Sequence, residues 1–154
     1  MRNKLLKAFA AFMALFIVLA VAETGSAQVR RYNRGVSKQQ VERLLERIEE
    51  QSDKFSNALN KSLDRSRLDG SRSEDNIADR ARDLENATDE LRREFDHNDT
   101  RRENAAEVRK VINSARAVNR IMVRRKFSQR AESTWVTLRG EINALARLYR
   151  LGVI

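Results

Sequence analysis

The sequence predicts an all-α fold, an antiparallel up-down-up-down four-helix bundle preceded by a signal peptide. Three observations carry this. Four stretches place apolar residues in steps that alternate four and three, which keeps one stripe of each helix turned toward its neighbours. Serine or threonine capping residues head all four stretches. The 154 residues include no proline and only five glycines, so few positions interrupt a helix.

The chain opens on a segment built for export. Arg2, Lys4 and Lys7 make a basic start, residues 8–22 are an unbroken apolar run of fifteen, and Gly25-Ser26-Ala27 offers small residues at the −3 and −1 positions of a cleavage site. The run falls short of the roughly 20 apolar residues that cross a bilayer core. A signal peptide cleaved near Ala27 is therefore expected rather than a retained anchor, with the mature chain periplasmic or extracellular. The basic start holds no twin-arginine pair, which points to the general secretion route. The chain has no cysteine, which excludes a lipoprotein anchor and any disulfide framework. Cleavage removes three basic residues and one acidic residue, taking the net charge from +9 to +7. The expected organisation is a signal peptide at 1–27, a basic lead at 28–36 and a bundle domain at 37–154.

The lead carries Arg30, Arg31 and Arg34 before Gly35 and has no apolar period. Ser37 with Gln40 reads as a capping box, the serine accepting from the amide three residues on and the glutamine reaching back. The first helix then shows Val41, Leu45, Ile48, Ser52, Phe55 and Leu59, with Leu44 and Leu63 widening the stripe. It is expected to run to about Leu68, where Asp69-Gly70 ends it with a left-handed glycine. Ser71 with Glu74 caps a second helix bearing Ile77, Ala81, Leu84, Thr88, Leu91 and Phe95, which stops near His97 at an Asn98-Asp99 turn. Thr100 with Glu103 caps a third, with Val108, Val111, Ile112, Ala115, Val118, Ile121 and Met122, ending near Phe127. Ser128 caps a fourth, with Ala131, Trp135, Leu138, Ile142, Leu145 and Tyr149, closed by Gly152. Nowhere do apolar residues alternate with a period of two, so strands are not expected.

Short turns make consecutive helices antiparallel neighbours, hence the bundle. The alternative is a pair of long hairpins stable only as a homodimer, since Ser52, Thr88 and the alanines thin some core layers. The second and fourth stripes superpose at an offset of 54 residues, Leu84 on Leu138 and Leu91 on Leu145. Any two heptad stripes do so, and a duplicated hairpin is the weaker reading.

The stretch from Leu63 to Gly70 (Leu-Asp-Arg-Ser-Arg-Leu-Asp-Gly), the segment Asp83-Leu84-Glu85-Asn86-Ala87-Thr88-Asp89, and Trp135 with Leu138-Arg139 and Asn143-Ala144-Leu145-Ala146 resemble an uncharacterised family of exported bacterial helical proteins. The resemblance covers most of the mature chain. It implies export and a helical fold, and it brings no catalytic residues.

Catalytic chemistry has little to stand on. A nucleophile needs a base beside it, and the chain has no cysteine and a single histidine, His97. Glu94 and His97 share the Glu-x-x-His spacing of carboxylate-bridged di-metal bundles, but such sites need a second pair and further inward carboxylates. His97 reads instead as a helix C-terminal residue. No glycine loop cradles a phosphate. No enzyme activity, metal or cofactor is therefore expected. Asp96-His97-Asn98-Asp99-Thr100 matches a bacterial glycosylation acceptor, and Asn86-Ala87-Thr88 is a plain sequon. Both are weak signals, and a helix stop followed by a cap explains the first. Trp135 sits on the apolar stripe, where core packing with its N–H on a polar neighbour is expected. The apolar end, Leu151-Gly152-Val153-Ile154, either tucks under the bundle or serves as a docking tail.

Charge is unevenly placed. The second helical region (70–99) has five basic residues against ten acidic, net −5, and the third (100–127) has nine against two, net +7. The preferred reading is that the two lie side by side with their charges matched across the seam. The functional reading gathers Arg116, Arg120, Arg124, Arg125 and Lys126 into a cationic patch, the first three recurring every four residues on one face. Export argues against nucleic acid, and no aromatic residues interleave with these bases to stack on it. Two functions follow as expectations. The first is a non-enzymatic protein of the bacterial cell envelope, part helical bundle and part coiled coil in character, that binds a protein partner or itself. The alternative is a binder of anionic envelope material, lipid headgroups or polysaccharide, through the basic third-helix face.

Overall fold

A computed structural model describes residues 31–33, 36–97 and 102–154. The expected signal peptide at 1–27 lies outside them, as do Asn98, Asp99 and Thr100. The described residues form four helices, α1 (Lys38–Leu63), α2 (Arg72–His97), α3 (Ala105–Met122) and α4 (Gln129–Leu148), preceded by a short antiparallel ribbon of β1 (Arg31–Asn33) and β2 (Val36–Ser37). The ribbon departs from the expectation that no strands form. It pairs Arg31 with Ser37 and Asn33 with Val36, a span too brief for an apolar alternation to register.

The helices pack against one another around one core. The closely packed pairs are α1 with α2, α2 with α3, α3 with α4, and α1 with α4, of which α3 with α4 is the thinnest. Every position of the first, second and fourth stripes is buried, as are Val108, Val111, Ile112, Ala115 and Val118 of the third. Ile121 and Met122 are half-buried at the end of α3. Burying a large aliphatic or aromatic side chain contributes about 1.5–3 kcal/mol, and this core includes Phe55, Phe95, Ile48, Leu59, Leu84, Leu91, Leu138, Ile142 and Leu145. Trp135 lies in it as expected. Its ring meets Phe55 at 5.2 Å between centroids, and its indole N–H donates to Asn119 Oδ1 at 3.3 Å.

Caps decide where the helices start. At α1, Ser37 Oγ accepts from the Gln40 amide at 3.2 Å while the Ser37 amide donates to Gln40 Oε1 at 2.9 Å, the reciprocal box the sequence predicts. At α2, Ser71 Oγ accepts from the Glu74 amide, but the Glu74 carboxylate takes the Gly70 amide at 2.6 Å rather than that of Ser71. At α4, Ser128 Oγ accepts from the Ala131 amide at 3.3 Å. α3 begins later than expected, at Ala105 after the fully buried Asn104.

Three helix ends fall short of their expected places, each for a local reason. α1 stops at Leu63 rather than Leu68 because the Ser66 hydroxyl accepts the Leu68 amide at 3.0 Å, an alternative to the helical ladder. Gly70, at φ +70°, still makes the left-handed turn. α3 stops at Met122 rather than Phe127. Past it, the amides of Arg124 and Arg125 both reach the Ile121 carbonyl, and the Phe127 amide is taken by the Glu132 carboxylate of the next helix. α4 stops at Leu148, and the left-handed residue is Arg150 at φ 55°, not Gly152. The Leu151 amide reaches the Ala146 carbonyl at 2.8 Å and the Arg150 amide that of Arg147 at 3.1 Å, the paired bonds of a Schellman turn.

One core position is poorly served. Ser52 is 1% exposed, and its hydroxyl has no hydrogen-bond partner among the described residues. Thr88, the small residue of the facing stripe, instead donates to its own helix at the Glu85 carbonyl, 2.7 Å. An unsatisfied buried hydroxyl costs about 1–3 kcal/mol, and alanine also favours the helix. Ser52→Ala is expected to stabilise the fold by about 1 kcal/mol, read as a raised midpoint in chemical denaturation with an unchanged m-value.

Candidate functional site

α2 is the acidic helix of the chain, yet its two edges face different environments. Along its seam with α1, carboxylates meet carboxylates. Burial and the Asp89 carboxylate lift the Glu49 carboxyl above the usual range, with Asp53 and Asp96 adding and Arg92 opposing. Burial and Glu85 lift Asp53 in the same direction, and burial and Asp53 lift Asp89, against Arg93. Nearby, Arg92 of α2 is drawn to Glu42 and Glu46 of α1 at 3.8 and 3.6 Å.

Along its other edge α2 lies beside α3, as expected, but the matching of acidic and basic charge across this seam is sparse. Among the described residues one ion pair crosses this seam, Lys110 to Glu90 at 3.6 Å, and Lys110 holds Glu107 of its own helix more closely, at 2.8 Å. Toward the end of α3 the seam opens into a groove of about 590 Å³. Arg80, Ser73 and Asn76 line it from the first turns of α2, and Arg120, Arg124 and Arg125 from the end of α3. Ile77, Ala117 and Ile121 form its apolar floor. Arg80 is paired to Asp83 on its own helix at 3.2 Å. Arg120, Arg124 and Arg125 are exposed and have no ion pair among the described residues.

The groove gathers part of the predicted patch and adds to it. Arg120, Arg124 and Arg125 stand together, and Lys126 is exposed just beyond them. Arg116 does not join them. Four residues turn a helix through about 400°, so each step of four drifts about 40° and two steps separate Arg116 from Arg124 by about 80°. Arg116 instead lines a second, smaller pocket with Arg109, Asn113 and Leu151, and donates to the Gly152 carbonyl at 2.8 Å. That bond and the Asn143 side chain, which accepts the Ile154 amide at 2.8 Å, hold the C-terminal residues back against the bundle. Leu151 and Ile154 pack against the core, while Val153 stays exposed. Arg80 was not legible as a site residue. It lies in an acidic helix, and only the packing of α2 on α3 brings it to the groove.

The remaining candidates are solvent-facing. Glu94 and His97 are both exposed at the end of α2. Asn86 is exposed in the middle of that helix, and Asn98 lies outside the described residues. Among the described residues no three histidine or acidic side chains are placed to hold a metal ion, and no helix is long and apolar enough to cross a membrane. Comparison of the chain with protein-family models, with curated proteins and with solved structures finds no match, so a functional reading rests on this geometry.

The acidic seam has a pH consequence. A carboxyl raised by folding disfavours the native state while it is charged. That penalty is fully present above the folded pKa and is relieved as pH falls through it toward the unfolded value. The contribution of Glu49, Asp53 and Asp89 therefore makes the fold more stable on mild acidification from neutral. Thermal midpoints are expected to rise as pH is lowered from neutral into the carboxyl range, and Asp89→Asn is expected to raise the midpoint at pH 7 and flatten the dependence.

Proposed function

We propose that this is an exported, non-enzymatic helical-bundle protein of the bacterial cell envelope that binds an anionic group through the α2–α3 groove. Of the two functions the sequence suggests, the binding of anionic envelope material is the one the geometry favours. The observation that carries it is the convergence of Arg80, Arg120, Arg124 and Arg125 on one open groove, three of them without an acidic partner among the described residues. A packed bundle satisfies its surface charges cheaply by pairing across seams, as Arg47 of α1 does with Glu141 of α4 through two bonds of 3.1 and 3.3 Å. Leaving the most basic stretch of the chain unpaired beside a concave surface is what an anion site requires.

Export is the second part of the proposal. It rests on the basic start, the fifteen-residue apolar run and the Gly25-Ser26-Ala27 exit. The up-down-up-down course belongs to the same reading. It is supported by Ser62, late in α1, accepting the amide of Ser128 at the head of α4, and by Arg92, late in α2, meeting Glu42 and Glu46, early in α1. Lys110, early in α3, likewise meets Glu90, late in α2.

The groove is tested with a soluble polyanion. Wild-type protein is expected to bind labelled inorganic polyphosphate with an affinity that falls steeply as salt is raised. Arg120→Gln/Arg124→Gln is expected to weaken that binding at least about tenfold and to flatten its salt dependence, since two charge-assisted contacts are lost. Arg43→Gln/Arg147→Gln, on exposed positions away from the groove, serves as the charge-matched control. Equal losses in the two variants would show non-specific attraction and overturn the site. Export is tested by the intact mass of the protein accumulated in its own cells, expected to begin at Gln28. A cytoplasmic product that retains residues 1–27 overturns it.

A further inference from the structure

The groove lies at one end of the bundle, and the chain just beyond it has a composition that a soluble anion does not explain. The eight residues from Arg120 to Phe127 read Arg-Ile-Met-Val-Arg-Arg-Lys-Phe. Ile121, Met122 and Phe127 turn inward and pack against the core. Val123 does not. It is 69% exposed, the most exposed of the large apolar side chains described, and it stands between Arg120 and the Arg124-Arg125-Lys126 run where α3 gives way to α4. The Ser62–Ser128 bond ties this turn to the end of α1, and the groove ties it to the start of α2, so the cations of the groove and the exposed valine share one pole of the molecule. Arg130, also exposed, follows on the first turn of α4. The like-charged carboxylates of Glu49, Asp53, Glu85 and Asp89 lie along the α1–α2 seam, on the opposite edge of α2.

A lone exposed valine is ordinary on a protein surface. A valine at the apex of a cationic turn, beside a groove with cations at its rim and isoleucine on its floor, has the chemistry of an interfacial contact. Cations near an anionic leaflet each add attraction, and apolar groups gain by entering the boundary between headgroups and acyl chains. The acidic α1–α2 seam adds repulsion to orientations that would present that edge of α2 to the leaflet. We propose that this pole docks on an anionic bilayer surface, with lipid phosphates held by Arg80, Arg120, Arg124 and Arg125 in the groove and Val123 entering the interfacial layer. The inference rests on the anion-binding reading of the groove and assigns its ligand to a lipid headgroup in a membrane rather than to a free polymer.

The test places a reporter at the apex. Val123→Trp is made in the protein as its cells accumulate it and mixed with vesicles whose acyl chains carry bromine, either phosphatidylcholine alone or an equal mixture with phosphatidylglycerol. Trp135 is 3% exposed in the core and supplies a constant background, measured in the wild type. The introduced indole is expected to be quenched on the phosphatidylglycerol vesicles and not on phosphatidylcholine, and adding Arg120→Gln/Arg124→Gln is expected to abolish the quenching. Val123→Ser, which leaves the charge unchanged, is expected to weaken partitioning of the otherwise native protein about fivefold. Vesicle binding without quenching, quenching on neutral vesicles, or full partitioning of Val123→Ser overturns the inference. Failure to bind phosphatidylglycerol vesicles while polyphosphate binding persists overturns the membrane assignment and leaves the groove an anion site for soluble polymer. Loss of both removes the groove as a site.

Discussion

Everything in this structure depends on four apolar stripes that can be hidden from water only against each other. No disulfide is available to close the chain, and the ion pairs among the described residues are mostly exposed, where each adds little. Burial of the stripe residues from Val41 to Leu63 in α1, Ile77 to Phe95 in α2, Val108 to Val118 in α3 and Ala131 to Leu145 in α4, with Tyr149 at its end, therefore carries the fold. Where the stripes thin, at Ser52 and Thr88, the helices must approach without large side chains between them, and the polar atoms there pair within their own helix or go unpaired. The compensation is local. Phe55 lies one turn from Ser52 and brings in Trp135 from α4, and Asn119 of α3 anchors the indole.

Packing of this kind fixes helix faces, and the faces then fix where charge goes. α2 must turn Leu84, Thr88 and Leu91 to the core, so its acidic residues fall to its flanks. Those on the α1 side meet Glu49 and Asp53 and are mutually strained. Those on the α3 side are replaced, in the first turns, by Ser73, Asn76 and Arg80, which leaves the arginines of α3 facing no carboxylate. The basic groove is thus a product of register. Turned by one residue in the sense that replaces Asn76 and Arg80 with Asp75 and Asp79, α2 would have offered the arginines carboxylates.

Much of the fold was legible because its signals are local. The Ser37–Gln40 box, the left-handed Gly70, the Ser128 cap and the stripes rest on spacings within one turn or two of a single helix. The helix ends at Leu63, Met122 and Leu148 were not, because each depends on which of two competing partners wins a backbone group: the Ser66 hydroxyl, the Glu132 carboxylate, and a Schellman turn closed on an arginine that glycine was expected to occupy. The patch was half legible. Its α3 residues announce themselves by composition, whereas the exclusion of Arg116 follows from the drift of a 3.6-residue helix, and the inclusion of Arg80 from a neighbour the sequence does not name. The ribbon of Arg31–Asn33 and Val36–Ser37 was too short to leave a period.

The order of the packed seams also bears on how the molecule assembles in time. Three of the four join helices that follow one another in the chain, and each can form as soon as its hairpin closes. The fourth joins the first helix to the last, through Arg47 with Glu141 and Ser62 with Ser128. It closes the longest loop in the chain and waits until α4 exists. A ribosome or a translocation channel that releases the chain from its N-terminus delivers three helices with one apolar flank of α1 still bare, and that flank is what a chaperone would meet until α4 arrives to cover it.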